Sequence, residues 1–301
     1  MMSLETIKSC PVCEGNSFNK YLNVQDYTVS NKEFTIQQCT SCHFLLTNPR
    51  PPEDEIGAFY ESTDYISHHD EARDLFSKVY IKVRDYTLRQ KLKMLNSLFP
   101  DKGNLLDIGC GTGNFIHVCQ KDGWHISGTE PDAGARKVAA GRAGAPIFDS
   151  INAPELQTKK FSIISLWHVL EHVHQLNETI AWLEKHLEDN GKIIIAVPNP
   201  QSADALTYGK YWAAYDVPRH LYHFTKASMR QLLNRHSLRI DQIKPMWFDS
   251  FYVSMLSTKY QKGKTDLLNS VKTGVLSNIK GNSNHSDSLN TSSLIYIISK
   301  Q

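Results

Sequence analysis

Leu105-Leu106-Asp107-Ile108-Gly109-Cys110-Gly111-Thr112-Gly113-Asn114-Phe115-Ile116 joins an apolar run, a glycine-rich turn and a helix start. The run has the buried, non-alternating character of a parallel-sheet strand. Gly109, Gly111 and Gly113 let the backbone turn sharply and approach a ligand closely, and the helix that follows points its first N–H groups at the same place. Three ligand classes compete for such a turn. A P-loop is excluded because no Lys-Ser or Lys-Thr closes the glycines. The dinucleotide fingerprint G-x-G-x-x-G, counted from Gly109, meets Asn114 where its third glycine belongs, and Asp107 aims a carboxylate at the pyrophosphate position. A sulfonium with an α-ammonium, by contrast, is a cation that a buried carboxylate stabilises. Glu130 ends the next expected strand 21 residues after Gly109 (130 minus 109), where an acid takes both ribose hydroxyls of a nucleoside.

Outward from this turn, strands and helices alternate, the pattern of an α/β fold on a parallel sheet. Strands are expected over Asn104–Ile108, His125–Thr129, Ala145–Phe148, Phe161–Trp167 and Lys192–Val197, and helices over Asn114–Lys121, Ala133–Gly141 and Val173–Glu188. Thr225 caps a helix over Lys226–His236, followed by strands near Leu238–Met246 and Ser293–Ser299. Upstream, Asp70 to Leu98 repeats like a long amphipathic helix with Leu75, Val79, Tyr86, Leu92 and Leu95 toward a core. Tyr60 and Tyr65 precede it in a loop, as packing or as an aromatic lid over a small ligand. Residues Lys259 to Ser292 are rich in Lys, Ser and Asn and are expected to be mobile or partly disordered.

The totals narrow the partners. With 33 basic and 31 acidic residues the net charge is +2, so a nucleic acid or anionic membrane would need a local patch. No signal-like apolar core opens the sequence, and no run reaches the ~18 apolar residues of a membrane span, so a soluble cytoplasmic protein with reduced thiols is expected. Four of the six cysteines form two C-x-x-C knuckles, Cys10/Cys13 and Cys39/Cys42, separated by 25 residues. Four thiolates so spaced close a tetrahedral zinc site, and the runs Tyr21–Val24 and Phe34–Gln37 between them form a hairpin, together a zinc ribbon.

The ordered set Asp107-x-Gly109-x-Gly111-x-Gly113, Glu130-Pro131, Trp167-His168-Val169-Leu170-Glu171-His172-Val173 and Gly191 to Asn199 resembles the motifs of class I S-adenosylmethionine-dependent methyltransferases, over about residues 104 to 245. Within them it is most similar to the ubiquinone-biosynthesis-like branch, and the attached ribbon resembles that of zinc-containing sugar C-methyltransferases. The resemblance implies a Rossmann-like seven-stranded sheet with helices on both faces. It implies that Asp107 and the Gly109–Gly113 turn hold the methionine part, Glu130 the ribose, Pro131 the adenine face and Asp149 the adenine edge; Tyr65, in the loop ahead of the long helix, is expected at the cofactor apart from that resemblance. Trp167 and His168 would flank the transferable methyl. Phe161-Ser162 and Ser237-Leu238 depart from the family's usual Phe-Asp and Gly-Phe, away from the cofactor.

Methyl transfer is an in-line displacement in which alignment does most of the work, and a base is needed when the acceptor carries a proton. His168, His172 and His220 are the candidates, with Glu171 orienting one of them. The H-x-x-E-H spelling of 168 to 172 also occurs in zinc hydrolases, but there it lies within a helix, whereas here it follows a strand. The expected acceptor is a small molecule, namely a sugar, a glycan precursor or a quinone-like phenol. A zinc-ribbon RNA methyltransferase and an NAD(P)-dependent oxidoreductase are the alternatives; against RNA, the ribbon balances Lys8, Lys20 and Lys32 with Glu5, Glu14, Asp26 and Glu33. The expected organisation is a ribbon over 1–48, a helical lid and linker over 49–100, and the cofactor-binding domain over 101–301.

Overall fold

The computed structural model describes residues 3–60, 75–264, 266–282 and 289–301. The order is β1 (Phe18–Gln25), β2 (Glu33–Cys39), β3 (Leu45–Thr47), α1 (Leu75–Leu98), β4 (Asn104–Ile108), α2 (Asn114–Lys121), β5 (His125–Thr129), α3 (Ala133–Ala143), β6 (Ile147–Phe148) and β7 (Phe161–Trp167). Then come α4 (Leu176–His186), β8 (Leu187–Pro198), α5 (Ala203–Tyr208), β9 (Tyr222–His223), α6 (Lys226–Asn234), β10 (Leu238–Pro245), α7 (Asp249–Lys262), α8 (Leu267–Gly281) and β11 (Ser293–Lys300).

Seven strands form one sheet in the order β10-β11-β8-β7-β4-β5-β6. The five from β6 to β8 are parallel, and β11 inserts antiparallel between β8 and β10. Its central strands are apolar on both faces: Leu105, Leu106, Ile163, Ile164, Leu166 and Ile193 are all fully buried, as strands covered by helices on each side must be. Strand order reverses at β4, whose neighbours β5 and β7 lead away in opposite directions. The crevice beyond the carboxyl ends of β4 and β7 is therefore the place where a doubly wound sheet takes its ligand.

A second, four-stranded sheet runs β1-β2-β3-β9. Its hairpin is the expected one, with Phe18 opposite Cys39 and Gln25 opposite Glu33. Its fourth strand comes from far down the chain: Leu45 pairs with His223 and Leu46 with Tyr222. Phe44 packs on Tyr222 and Phe224 at centroid distances of 5.8 and 5.5 Å, and Thr47 Oγ1 donates to the His220 carbonyl at 2.7 Å.

Two expectations are corrected. The described part of residues 259 to 292 holds the end of α7 and all of α8, while 265 and 283 to 288 lie outside the described residues. These helices pack through small residues: a Cβ on Gly274 would lie 2.9 Å from the Phe251 ring, and Ser270 Oγ donates to Thr258 Oγ1 at 3.1 Å. Close backbone approach substitutes for the large apolar groups whose scarcity suggested disorder. In α1, Leu95 is buried as expected, but Tyr86 is 50% exposed and meets Phe248 edge-on at 5.5 Å. Tyr65 and the first residues expected in this helix, 70 to 74, lie outside the described residues.

Candidate active site

The glycine turn closes over the end of β4. Gly109, Gly111 and Gly113 adopt φ of +68°, +56° and +78°, the left-handed region that a side chain resists. Two of them are also sterically required: a Cβ on Gly109 would come 2.5 Å from Val169 Cγ2, and one on Gly113 would come 2.8 Å from Ala139 Cα. Glu130 then fixes the turn, its Oε2 accepting from the Gly111 N–H at 2.8 Å and its Oε1 from the Asp132 N–H at 3.0 Å. Arg142, which the sequence patterns did not single out, clamps the turn from outside by donating to the Thr112 carbonyl at 3.0 Å and to Asn114 Oδ1 at 2.6 Å. Pro131 follows Glu130, with its carbonyl accepting from Arg136 at 2.8 Å. Asp149 sits just after β6 and accepts from the Ser150 hydroxyl at 3.2 Å.

Asp107 and Ser165 are register partners on β4 and β7, so the Ser165 hydroxyl donates to Asp107 Oδ1 at 2.6 Å. Burial pushes the Asp107 carboxyl up to about 7, against the pull of Ser165 and Lys91. Lys91 of α1 feels the reverse: burial brings its ammonium down to about 8, while Asp107 and Asp249 hold it up. Its Nζ stands 3.9 Å from the centre of the Trp167 ring, a cation on an aromatic face. Two acids and an indole thus surround one positive charge.

His168 leaves β7 with φ of +57°, which turns its ring between two carboxylates. Nδ1 lies 3.3 Å from Glu171 Oε1, and Nε2 lies 2.8 Å from Asp249 Oδ2 at the first turn of α7. Burial alone would lower its pKa, but Asp249 and Glu171 push it up to about 10. At neutral pH His168 is therefore an imidazolium that orients carboxylates and has no lone pair to offer. Stability from this pair is complete below the unfolded value near 6.5 and is lost as pH rises through about 10. Asp249→Asn is expected to destabilise the fold by on the order of 1–3 kcal/mol at pH 7. That difference from the parent should shrink in melts above pH 10; a constant gap would show that the ion pair contributes nothing.

The other two histidines meet on the far side of Glu171. Their rings are edge to face with centroids 4.6 Å apart. His172 Nδ1 lies 3.0 Å from the Arg219 carbonyl and 2.9 Å from the Tyr60 hydroxyl, and His220 Nδ1 lies 2.9 Å from the Ala214 carbonyl. Carbonyls accept only, so each Nδ1 carries a proton, and on a neutral His172 ring Nε2 keeps the lone pair. Burial, reinforced by His220, brings the His172 pKa down to about 4, which keeps it neutral. Glu171 is fully buried, its Oε2 has no hydrogen-bond partner among the described residues, and its pKa lies below the ordinary value because His168 outweighs burial. Ligand atoms of Glu171, His172 and His220 lie within 4.8 Å of one another.

Around this cluster, a buried ion network ties the irregular segment after β8 to the first hairpin. Arg219 binds Asp216, donates to the Phe59 carbonyl at 3.0 Å and reaches Asp26 at 3.3 Å. Trp212 and Tyr215 lie buried in the same segment, stacked edge to face.

Cys10, Cys13, Cys39 and Cys42 converge with all four Sγ atoms within 4.8 Å; Cys10 and Cys42 are 3.6 Å apart and Cys13 and Cys39 3.5 Å. A tetrahedral zinc with bonds of about 2.3 Å requires sulfurs about 3.8 Å apart, so the donor set and its spacing fit the metal. Cys110 and Cys119 are buried beside the glycine turn, where burial raises their thiols.

A methyltransferase-domain family matches residues 80–243, just over half of the 301 residues. An uncharacterized methyltransferase of Alkaliphilus oremlandii (strain OhILAs) is 27% identical over 100 residues, which are 32% of this chain and 45% of that relative, so the chain spans less than half of the relative's length. Among solved structures, magnesium protoporphyrin IX methyltransferase from Synechocystis PCC 6803 with bound SAH is similar at TM-score 0.54 and 14% identity, covering 83% of this chain and all of that one. The O-MT segment of StiE is similar at TM-score 0.50 and 14% identity, covering 76% and 78%. Identities this low speak for a shared fold.

Proposed function

The chain belongs to the methyltransferase-domain family, and from that membership we propose that it is an S-adenosylmethionine-dependent methyltransferase acting on a small molecule, namely a sugar, a glycan precursor or a quinone-like phenol. The observation that carries this reading is the turn at the carboxyl end of β4, where Gly109, Gly111 and Gly113 hold positive φ beside the carboxylates of Asp107 and Glu130, the latter bound to the Gly111 N–H at 2.8 Å. A pyrophosphate in that place would meet two carboxylates, which disfavours a nicotinamide cofactor.

In this reading Asp107 and the Gly109–Gly113 turn bind the methionine part, Glu130 the ribose hydroxyls, Pro131 and Asp149 the adenine, and Trp167 and His168 border the methyl. When bound, S-adenosylmethionine supplies a methyl group activated by its sulfonium. His168, held as a cation, fixes Glu171 and Asp249. His172, kept neutral, presents an Nε2 lone pair that can take a proton from an acceptor hydroxyl, and His220, edge to face with it, is the second candidate. Trp212, Tyr215 and the Tyr60 hydroxyl wall the acceptor side. The four knuckle cysteines hold a structural zinc, in keeping with the sugar-methylating relatives suggested by sequence.

Thermal-shift titration tests the donor. S-Adenosylhomocysteine at about 100 times its Kd should stabilise the protein by about 2.7 kcal/mol, and NADH should leave the melt unchanged. The reverse pattern would sink the proposal.

A further inference from the structure

The α7–α8 hairpin is packed inside out. Its inward surface is hydroxyls and glycine: Ser254, Ser257, Thr258, Ser270 and Ser277 are buried, as is Gly274. Ser277 donates to the buried Asp204 at 2.6 Å, and Tyr208 meets Thr258 at 2.9 Å. Five large apolar side chains of α8 face out. Leu268 is 86% and Ile279 65% exposed, and Val271, Val275 and Leu276 are exposed with them. At about 100° per residue, these five centre on the side of α8 opposite Ser270, Gly274 and Ser277. Small residues between helices and large apolar residues outside is the packing of helices bounded by lipid.

Charge says what covers this face. Between residues 259 and 282 the sequence has five lysines (259, 262, 264, 272 and 280) against one acid, Asp266, and all five lysines are exposed. This is the local patch that the near-neutral total conceals. A two-fold contact with a second copy would set this lysine-rich face against itself, whereas lysines can extend from an apolar face to anionic headgroups. Trp247 adds an exposed indole beside the patch, since its carbonyl accepts from Asn278 of α8 at 2.8 Å. Among the described residues no helix is long and apolar enough to cross a membrane, so the hairpin lies on a surface.

We propose that the outer face of α8, with its flanking lysines and Trp247, docks the protein on an anionic lipid surface. Asp249, the first residue of the hairpin, is the ion-pair partner of His168, so docking would bring the methyl-transfer site next to the bilayer.

Vesicle flotation of the full chain tests this. It should float with vesicles of equal parts phosphatidylglycerol and phosphatidylcholine and remain behind with phosphatidylcholine alone. Leu268→Glu with Ile279→Glu should lower the bound fraction about tenfold or more, as should Lys264→Glu with Lys272→Glu and Lys280→Glu, with unchanged melting temperatures. Two different surface variants keep the outcome readable if one folds poorly. Failure of the parent to float, or equal flotation of parent and variants, overturns the proposal. So does a parent dimer that the apolar variant turns into a monomer without any vesicle binding, which would assign the face to a second copy.

Discussion

Asp107→Asn is expected to weaken S-adenosylmethionine binding by roughly 10- to 100-fold, the equivalent of about 1.5–3 kcal/mol for a hydrogen bond to a buried charge. The same substitution should raise the melting temperature of the free protein. Both follow from one fact: burial has pushed this carboxyl up to about 7 even against the pull of Lys91, so ionising it near neutral pH opposes folding and a further cation relieves it. An acid whose folded pKa lies above its unfolded value lowers stability once pH exceeds the unfolded value. Asn keeps the Ser165 hydrogen bond and removes the charge. In the parent, binding should weaken as pH falls through about 7, because the cation then competes with a proton; in Asp107→Asn that pH dependence should flatten. Calorimetric titration between pH 6 and 8 reads both, and an Asp107→Asn protein with parental affinity would remove the acid from the cofactor site.

Cys39→Ser should cost the protein its zinc, read by elemental analysis, and on the order of several kcal/mol of stability, because metal binding at a four-cysteine site is folding energy. The loss should reach the active site as well. β3 leads directly from the second knuckle and bonds the segment that bears the candidate base: Thr47 N–H donates to the Leu221 carbonyl at 3.0 Å, Thr47 Oγ1 to the His220 carbonyl at 2.7 Å, and Leu221 N–H to the Glu171 carbonyl at 2.8 Å. Methyl transfer should therefore fall along with zinc content. Equal, negligible zinc in the parent and in Cys39→Ser would end the claim of a metal.

What could be read in advance followed from local signals. The run Leu105 to Ile116 contains its own strand, turn and helix start, and β4, α2, β5 and β7 end where the pattern ended. The knuckles announce each other by spacing. What could not be read needed contacts with no local trace. β3 and β9 are three and two residues long, too short for any period, and they meet across more than 170 residues. Asp249 is an ordinary helix-start acid in sequence and becomes the counter-ion of His168 only through the fold. Lys91 lies on a helix whose polar positions all resemble solvated ones. The α7–α8 hairpin misled for another reason: a composition of Ser, Asn and Lys with few large apolar residues normally cannot form a core, and here the hydroxyls are the core.

The position of β11 governs how the molecule assembles. It begins 95 residues after β8 ends (293 minus 198), yet it lies between β8 and β10 and bonds both. As the chain leaves the ribosome, the isoleucine-rich edge of β8 is complete long before its neighbour exists, and β10 has no sheet to join. Such an open, apolar edge invites pairing with other chains, and the long loop that must close slows the final step. Shortening the chain by this one strand would remove an interior member of the sheet and detach β10 with it.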